Sequence, residues 1–129
     1  MGNGKTATDI WLAFSPAAII AVVIMVASMW EFQQVPQAVA LHDKFLHGLM
    51  YTVLSAALMA GFVYIRQARI PYYIIACAGA TFYGAIMEFL QRYCTLSRSG
   101  EMADLFADFI GALIGVFLVW LYTRIAHVN

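Results

Sequence analysis

Four long apolar stretches divide this sequence and leave it few ways to fold. We place them at about residues 11–30, 45–64, 72–93 and 102–122. Each is close to the roughly 20 residues that an α-helix needs to cross about 30 Å of hydrocarbon. The sequence therefore predicts an all-α, polytopic membrane protein: a single domain over residues 1–129, built as a bundle of four transmembrane helices.

The residue composition excludes an ordinary soluble domain. Of the 129 residues, 64% are hydrophobic and only 11% are charged, whereas a soluble domain carries about 25% charged residues. The formal net charge is zero, so the chain lacks the basic excess that is typical of nucleic-acid binding. We therefore expect membrane lipids, and not nucleic acid, to be its partners.

The loop residues predict how the bundle is oriented. Arg66 and Arg69 lie in the short second loop, which contains no acidic residue. Because cytoplasmic loops are enriched in Lys and Arg, we place this loop in the cytoplasm. Both termini are then cytoplasmic, and the starts of the second and fourth helices face outward together with the end of the third.

Three groups of polar residues lie near these outward helix ends. Asp43, His47 and Tyr51 follow one another at intervals of four residues, which places them on one face of the second helix. Ionisable residues in or beside the hydrocarbon layer are expensive and are usually retained for function. We therefore predict an outward-opening polar pocket. Its predicted ligand-binding residues are Asp43, Lys44, His47, Tyr51, Glu88, Gln91, Arg92, Arg98, Asp104 and Asp108.

Structural roles are an alternative for the residues at the helix starts. Asp43 can cap the second helix, because aspartate accepts hydrogen bonds from the free amides of a first turn. Lys44 can extend to lipid phosphate at the interface. Asp104 can complement the dipole of the fourth helix. The sequence leaves these alternatives open.

The deeper carboxylates are harder to explain without a partner. Glu88 must be protonated or paired with Arg92, Arg98 or His47. Asp108 lies deeper still and needs a partner as well. The two arginines can either neutralise these acids or hold a phosphate through paired hydrogen bonds.

Two glycines on the fourth helix indicate close helix packing. Gly111 and Gly115 are four residues apart, a spacing that lets another helix approach closely in membrane proteins. We therefore interpret them as a packing seam and not as part of a binding site.

The polar motifs resemble those of the VanZ-like family of small bacterial integral membrane proteins. The residues that carry the resemblance are Asp43-Lys44-x-x-His47-x-x-x-Tyr51, Glu88-x-x-Gln91, Arg98, Asp104 and Gly111-x-x-x-Gly115. They occur in the family's order over residues 43–115. The family pattern usually has Asn where this chain has Asp108, so this chain adds a carboxylate. The resemblance implies a multi-pass protein of the bacterial cytoplasmic (inner) membrane that acts in the cell envelope. The founding member is associated with resistance to the lipoglycopeptide antibiotic teicoplanin.

Three classes of function are compatible with these residues. The first is a binding protein whose pocket engages an amphiphile, such as a lipid-linked wall precursor or a lipoglycopeptide tail. The second is a membrane enzyme acting on a lipid phosphate, although the Ser-Gly-His motif of common lipid phosphatases is missing. The third is a small proton-coupled transporter, for which the apolar inner half offers no polar path.

The enzyme hypothesis assigns its own set of residues. Side chains with carboxylate and imidazole groups can act as general acid and base, or they can hold a divalent metal ion. No other cofactor is predicted. The candidate catalytic residues are His47, Glu88, Asp104 and Asp108.

Overall fold

The computed structural model contains four α-helices over the residues that it describes, which are 5–30, 40–65, 68–94 and 101–126. The helices are α1 (Ala7–Met29), α2 (Ala40–Tyr64), α3 (Ile70–Cys94) and α4 (Met102–Ile125). Each is 23 to 25 residues long and apolar enough to cross a membrane. The described residues contain no strand. The predicted all-α bundle, with four helices of membrane-spanning length and composition, is confirmed.

α1 begins before its apolar stretch because polar residues cap its first turn. Thr6 Oγ1 accepts a hydrogen bond from the Asp9 amide at 3.3 Å, and Asp9 Oδ2 accepts one from the Thr6 amide at 2.8 Å. This reciprocal pair satisfies two amides that have no partner within the helix. α1 therefore starts at Ala7, four residues before the predicted stretch.

Pro16 lies inside α1 without ending it. Proline has no amide hydrogen, so the carbonyl oxygen of Leu12, four residues earlier, loses its normal helical donor. The Ser15 hydroxyl donates to that same carbonyl oxygen at 2.9 Å. The serine thus replaces part of the hydrogen bonding that the proline removes, and the helix continues.

Hydrogen bonds between α1 and α3 show the relative direction of these two helices. Tyr83 Oη donates to the Ala21 carbonyl oxygen at 2.6 Å. Further along both helices, Gln91 Nε2 donates to the Ser28 carbonyl oxygen at 3.1 Å. Because the residue numbers increase in the same direction along both helices, α1 and α3 are parallel.

α2 and α4 are also parallel and run opposite to the other two helices. Thr52 Oγ1 donates to the Gly111 carbonyl oxygen at 3.0 Å, and Ser55 Oγ donates to the Ala112 carbonyl oxygen at 2.9 Å. Near the opposite end, the Tyr73 hydroxyl at the start of α3 lies 3.2 Å from Thr123 Oγ1 near the end of α4. The chain therefore follows an up-down-up-down course. The starts of α2 and α4 meet the ends of α1 and α3 at one end of the bundle.

Glycines allow α2 and α4 to pack with their backbones in contact. A Cβ added at Gly111 would overlap the carbonyl group of Gly48, and one added at Gly115 would overlap Ser55 Oγ and the Thr52 carbonyl oxygen. Small residues at such crossings let membrane helices approach closely. The predicted packing role of Gly111 and Gly115 is confirmed, and its counterpart on α2 begins at Gly48.

Apolar side chains cover the outside of the bundle, whereas small residues fill much of its inside. Ala17, Ala76, Ala80 and Ala112 are each at most 3% exposed. This arrangement suits a hydrocarbon solvent, in which packing holds helices together and the hydrophobic effect contributes little between them. Large apolar residues that are 69–79% exposed include Trp11, Phe45, Ile70, Phe82, Met102 and Ile125.

We expect Gly111→Ala to destabilise the bundle, because the new methyl group would meet the backbone of Gly48 and not a movable side chain. Overpacking of this kind costs about 1–3 kcal/mol. Gly79→Ala is the matched control, since a Cβ there meets no atom within 4 Å. Thermal unfolding in detergent should show a lowered midpoint for Gly111→Ala and an equal or raised midpoint for Gly79→Ala. Equal midpoints for both variants would contradict the proposed backbone contact.

Candidate functional site

Six polar side chains from three helices and one loop end meet at the end of the bundle where α2 and α4 begin. We call them the polar cluster: Lys44, His47, Glu88, Glu101, Asp104 and Asp108. α2 supplies Lys44 and His47, and the last two turns of α3 supply Glu88. The start of α4 and the residue before it supply the other acids. The cluster has a buried inner part and a more exposed outer part.

The inner part consists of His47, Glu88 and Asp108, which we call the buried trio. Asp108 is 0% exposed, His47 is 3% exposed and Glu88 is 8% exposed. His47 Nδ1 lies 3.0 Å from Asp108 Oδ1 and 3.7 Å from Glu88 Oε1. One imidazole nitrogen therefore lies between two carboxylates in a place that solvent barely reaches.

A glycine on α3 makes room for the deepest carboxylate. A Cβ added at Gly84 would lie 2.6 Å from Asp108 Oδ2 and 3.2 Å from Asp108 Cγ. Gly84 is four residues before Glu88, so it lies one turn below it on the same face. Only the absence of a side chain at this position allows the Asp108 carboxylate to lie against α3.

The outer part is a set of ion pairs around Lys44. Lys44 Nζ donates to Glu101 Oε2 at 3.1 Å and to Asp104 Oδ1 at 3.2 Å. The Lys44 and Glu101 side chains are 38% and 56% exposed, whereas that of Asp104 is 10% exposed. The Glu101 amide also donates to Glu88 Oε2 at 3.0 Å. Glu101, the residue directly before α4, thereby links the outer ion pairs to the buried trio.

Three buried oxygen atoms of this region have no hydrogen-bond partner among the described residues. They are Tyr51 Oη, Glu88 Oε1 and Asp108 Oδ2. Buried polar atoms are nearly always hydrogen-bonded, because an unpaired one loses its hydration without compensation. Tyr51 is 1% exposed and lies one turn below His47 on the same face of α2. The unpartnered oxygens thus belong to the buried trio and to a tyrosine one turn away from it on α2.

The donor atoms of the cluster are close enough together to hold a cation. Ligand atoms of His47, Glu88 and Asp108 lie within 4.8 Å of one another, as do those of Asp43, His47 and Asp104. Carboxylates outnumber basic groups in both sets. The arrangement therefore has the chemistry of a cation site, and His47 held against a carboxylate also has the geometry of a general base.

Five of the ten predicted site residues belong to this cluster, namely Lys44, His47, Glu88, Asp104 and Asp108. Asp43 and Tyr51 lie beside it, and the other three do not belong to it. Gln91 is buried and donates to the Ser28 carbonyl oxygen, so its hydrogen bond ties α3 to α1. Arg92 is exposed and forms no ion pair with the described residues. Arg98 lies outside the described residues.

Two roles at the helix starts differ from the alternatives that the sequence left open. Lys44 pairs with Glu101 and Asp104, and this accounts for its position without a lipid phosphate. Asp43 lies in the first turn of α2 and not at its start, because that helix begins at Ala40. Asp104 does occupy the first turn of α4, where its charge complements the helix dipole.

Sequence reasoning missed the contributions of Glu101 and Gly84. Glu101 lies before the fourth apolar stretch, so its backbone contact with Glu88 had no signal in the hydropathy. Gly84 did carry a signal, since it lies four residues before Glu88 and thus shares its helix face. A glycine at that spacing from a buried acid indicates that another side chain lies against the helix.

An open apolar groove runs between α3 and α4 on the outside of the bundle. Its volume is about 690 Å³, and the residues that line it include Ala78, Phe82, Ala85, Leu105 and Phe109. Ligand sites in proteins commonly have volumes of about 300–1,000 Å³. We call this feature the α3–α4 groove.

The groove reaches the height of the polar cluster. Ala85 precedes Glu88 by three residues on α3, and Leu105 directly follows Asp104 on α4. Three helical residues span about 4.5 Å along the axis. The apolar groove and the charged cluster are therefore neighbouring features of the same two helices.

We expect Gly84→Ala to disturb the buried trio by pushing the Asp108 carboxylate away from α3. The variant should lower the thermal midpoint in detergent by an amount equivalent to about 1–3 kcal/mol. Asp108→Ala removes the carboxylate that the new methyl group would meet. Adding Gly84→Ala to an Asp108→Ala protein should therefore cost clearly less than adding it to the unchanged protein. Additive effects of the two substitutions would argue against this contact.

Comparisons of the chain with protein-family models, with curated proteins and with solved structures found no match.

Proposed function

We propose that this chain is an integral membrane protein of the bacterial cell envelope that binds an amphiphile. The hydrocarbon chain of the ligand lies in the α3–α4 groove, and its head group reaches the polar cluster. The observation that carries this proposal is the adjacency of the two features at Ala85 and Glu88 on α3 and at Leu105 and Asp104 on α4.

The groove suits a hydrocarbon chain better than it suits a polar ligand. Phe82, Ala85, Leu105 and Phe109 contribute apolar side chains to its walls. Phe82 is 69% exposed, and a surface of this kind at mid-span height has hydrocarbon as its surroundings. A lipid that enters from the bilayer therefore keeps its chain in an apolar environment throughout.

The polar cluster provides the part of the site that distinguishes one amphiphile from another. Its carboxylates, together with Lys44 and His47, offer hydrogen-bond acceptors and charges at the end of the groove. Specific sites combine a mostly apolar wall with a few placed polar groups. Bulk lipid occupies only the groove, whereas a recognised ligand also contacts the polar cluster.

The resemblance to VanZ-like proteins suggests which amphiphiles are relevant. We propose a lipid-linked wall precursor or a lipoglycopeptide such as teicoplanin as the ligand class. We further propose the bacterial cytoplasmic membrane as the location, with both termini cytoplasmic and the polar cluster facing outward. The paired Arg66 and Arg69 in the second loop support this orientation.

A membrane enzyme that acts on a lipid phosphate is the second candidate, and the buried trio is the observation that favours it. Asp108 holds the His47 ring at 3.0 Å, as a carboxylate holds a catalytic imidazole in a defined tautomer and orientation. Glu88 lies beside the same nitrogen. These groups can remove or deliver a proton at a head group that the groove positions.

Filling the groove tests the binding proposal. We expect Ala78→Phe to reduce the retention of an envelope lipid by at least about tenfold, or about 1.4 kcal/mol, because the ring would occupy the space of the hydrocarbon chain. The measurement is native mass spectrometry of the purified protein mixed with a bacterial membrane lipid extract.

Ala60→Phe is the matched control for this experiment. Ala60 is an exposed alanine on α2 and does not line the groove. The control variant should retain the same lipid as the unchanged protein. If both phenylalanine variants lose lipid equally, or if neither does, the groove is not the binding site.

A further inference from the structure

When both of its carboxylates are ionised, the buried trio holds more negative charge than the described residues around it neutralise. Glu88 and Asp108 bring two carboxylates to one imidazole, and Lys44 is engaged by Glu101 and Asp104 instead. Among the described residues, neither Glu88 Oε1 nor Asp108 Oδ2 has a hydrogen-bond partner. Two charges of one sign in a low-dielectric interior repel strongly. With both acids ionised, the described residues therefore place no fixed positive charge at the centre of the trio.

We propose that His47, Glu88 and Asp108 bind one divalent transition-metal ion, such as Zn²⁺ or Mn²⁺. The ion lies between His47 Nδ1 and the carboxylate oxygens of the two acids. A dication with two carboxylates and a neutral imidazole has a total charge of zero, which is the arrangement that a hydrocarbon environment favours.

The distances within the trio fit the edges of a metal coordination sphere. Metal–ligand bonds of about 2.1 Å place neighbouring ligand atoms about 3.0 Å apart in an octahedral site and about 3.4 Å apart in a tetrahedral one. The observed separations from His47 Nδ1 are 3.0 Å to Asp108 Oδ1 and 3.7 Å to Glu88 Oε1. Both separations lie within a few tenths of an ångström of these values, and all the ligand atoms of the trio lie within 4.8 Å of one another.

The unpartnered Tyr51 hydroxyl is an independent indication that something polar lies in this region. Tyr51 is 1% exposed, and its Oη has no hydrogen-bond partner in the described part of the chain. It lies one turn below His47 on the same helix face. A metal-bound water or a ligand oxygen at the trio would give this hydroxyl a partner.

The ligand set selects a transition metal. Imidazole nitrogen favours Zn²⁺, Fe²⁺ and similar ions, whereas sites made of oxygen atoms favour Mg²⁺ and Ca²⁺. One nitrogen with two carboxylates is compatible with Zn²⁺ and Mn²⁺ and discriminates against Mg²⁺. Three protein ligands also leave at least one coordination position open, as in catalytic zinc sites.

The neighbouring group of Asp43, His47 and Asp104 is a weaker candidate. Its donor atoms also lie within 4.8 Å of one another. However, Asp104 already pairs with Lys44 at 3.2 Å, so an ion there would have to displace the lysine. His47 belongs to both groups and can serve only one of them through Nδ1.

The open position of the metal gives the site a way to recognise a phosphate. Phosphate oxygens do not approach a group of carboxylates directly, but a metal ion can bridge the two and polarise the phosphoryl group. This part of the inference rests on the proposed binding of an amphiphile, and it specifies that ligand as a lipid phosphate. The metal site itself stands on the geometry of the trio.

Metal titration of the purified full-length protein in mild detergent tests the site directly. After removal of bound metal with a chelator, we expect Zn²⁺ or Mn²⁺ to bind at one ion per chain in calorimetry, and Mg²⁺ to bind far more weakly. Glu88→Gln and Asp108→Asn should each weaken binding by about 100-fold or more, since even outer-shell changes cost 10–100-fold.

Asp9→Asn is the matched control, because it makes the same chemical change as Asp108→Asn in the first turn of α1, at the opposite end of the bundle. Its metal affinity should stay within about threefold of that of the unchanged protein. The proposal is overturned if the unchanged protein binds no ion. It is equally overturned if all three variants bind as the unchanged protein does, since the metal is then held elsewhere, for example at the exposed His42.

Spectroscopy of the bound ion gives a second readout, which reports on the ligand atoms themselves. Co²⁺ in the site should show visible absorption bands of a nitrogen- and oxygen-ligated ion, and these bands should change in His47→Asn. An unchanged spectrum in that variant would exclude His47 as a ligand.

Retention of a prenyl phosphate, with and without chelator, separates the metal site from the proposed function. A loss of at least about tenfold on chelation supports the bridge between metal and phosphate. If metal binds but lipid retention does not depend on it, the result supports the metal site and contradicts the contact between metal and phosphate. If lipid is retained by a protein that binds no metal, the amphiphile proposal stands and the metal site falls.

Discussion

The contact between the backbones of α2 and α4 is the feature on which the rest of this bundle depends. Gly48 and Gly111 meet at the crossing without side chains between them, and Thr52 Oγ1 donates across it to the Gly111 carbonyl oxygen. His47 directly precedes Gly48, and Asp108 lies one turn before Gly111. The same close approach therefore brings the imidazole and the carboxylate to 3.0 Å. If the two helices crossed farther apart, His47 and Asp108 would both be buried and would lose this contact.

In the polar cluster, the contribution of a charged pair to stability depends on how deeply the pair is buried. At the rim, Lys44 and Glu101 are partly exposed, and solvent moderates their pairing, so such a pair contributes little to stability. Below it, Asp108 is fully enclosed, and its partner among the described residues is His47. A removed partner there leaves a buried group uncompensated, which is far more costly. The buried trio thus depends on its partners far more than the rim does.

Particular residues explain why the fold was easier to predict than the site. The four helices follow from the length and apolar character of their own segments, and the spacing of Asp43, His47 and Tyr51 correctly predicted a shared face. Gln91 and Glu88 are both buried on α3, and the spacing alone could not show that they contact different helices. One donates to the Ser28 carbonyl oxygen of α1, and the other faces α2 and α4. Which helix a residue faces depends on how the helices are arranged, and no single segment contains that information.

By itself, the sequence determined the all-helical class and the number and approximate length of the helices. These properties are local, because hydropathy and the helical repeat act along one segment. Only the tertiary structure decided that Lys44 pairs with Glu101 and Asp104, that Arg92 stays outside the cluster, and that His47 lies between Glu88 and Asp108. These pairings depend on the rotation and separation of whole helices. The packing of small residues such as Gly48, Gly84 and Gly111 sets both quantities, and it does so through contacts between segments far apart in the chain.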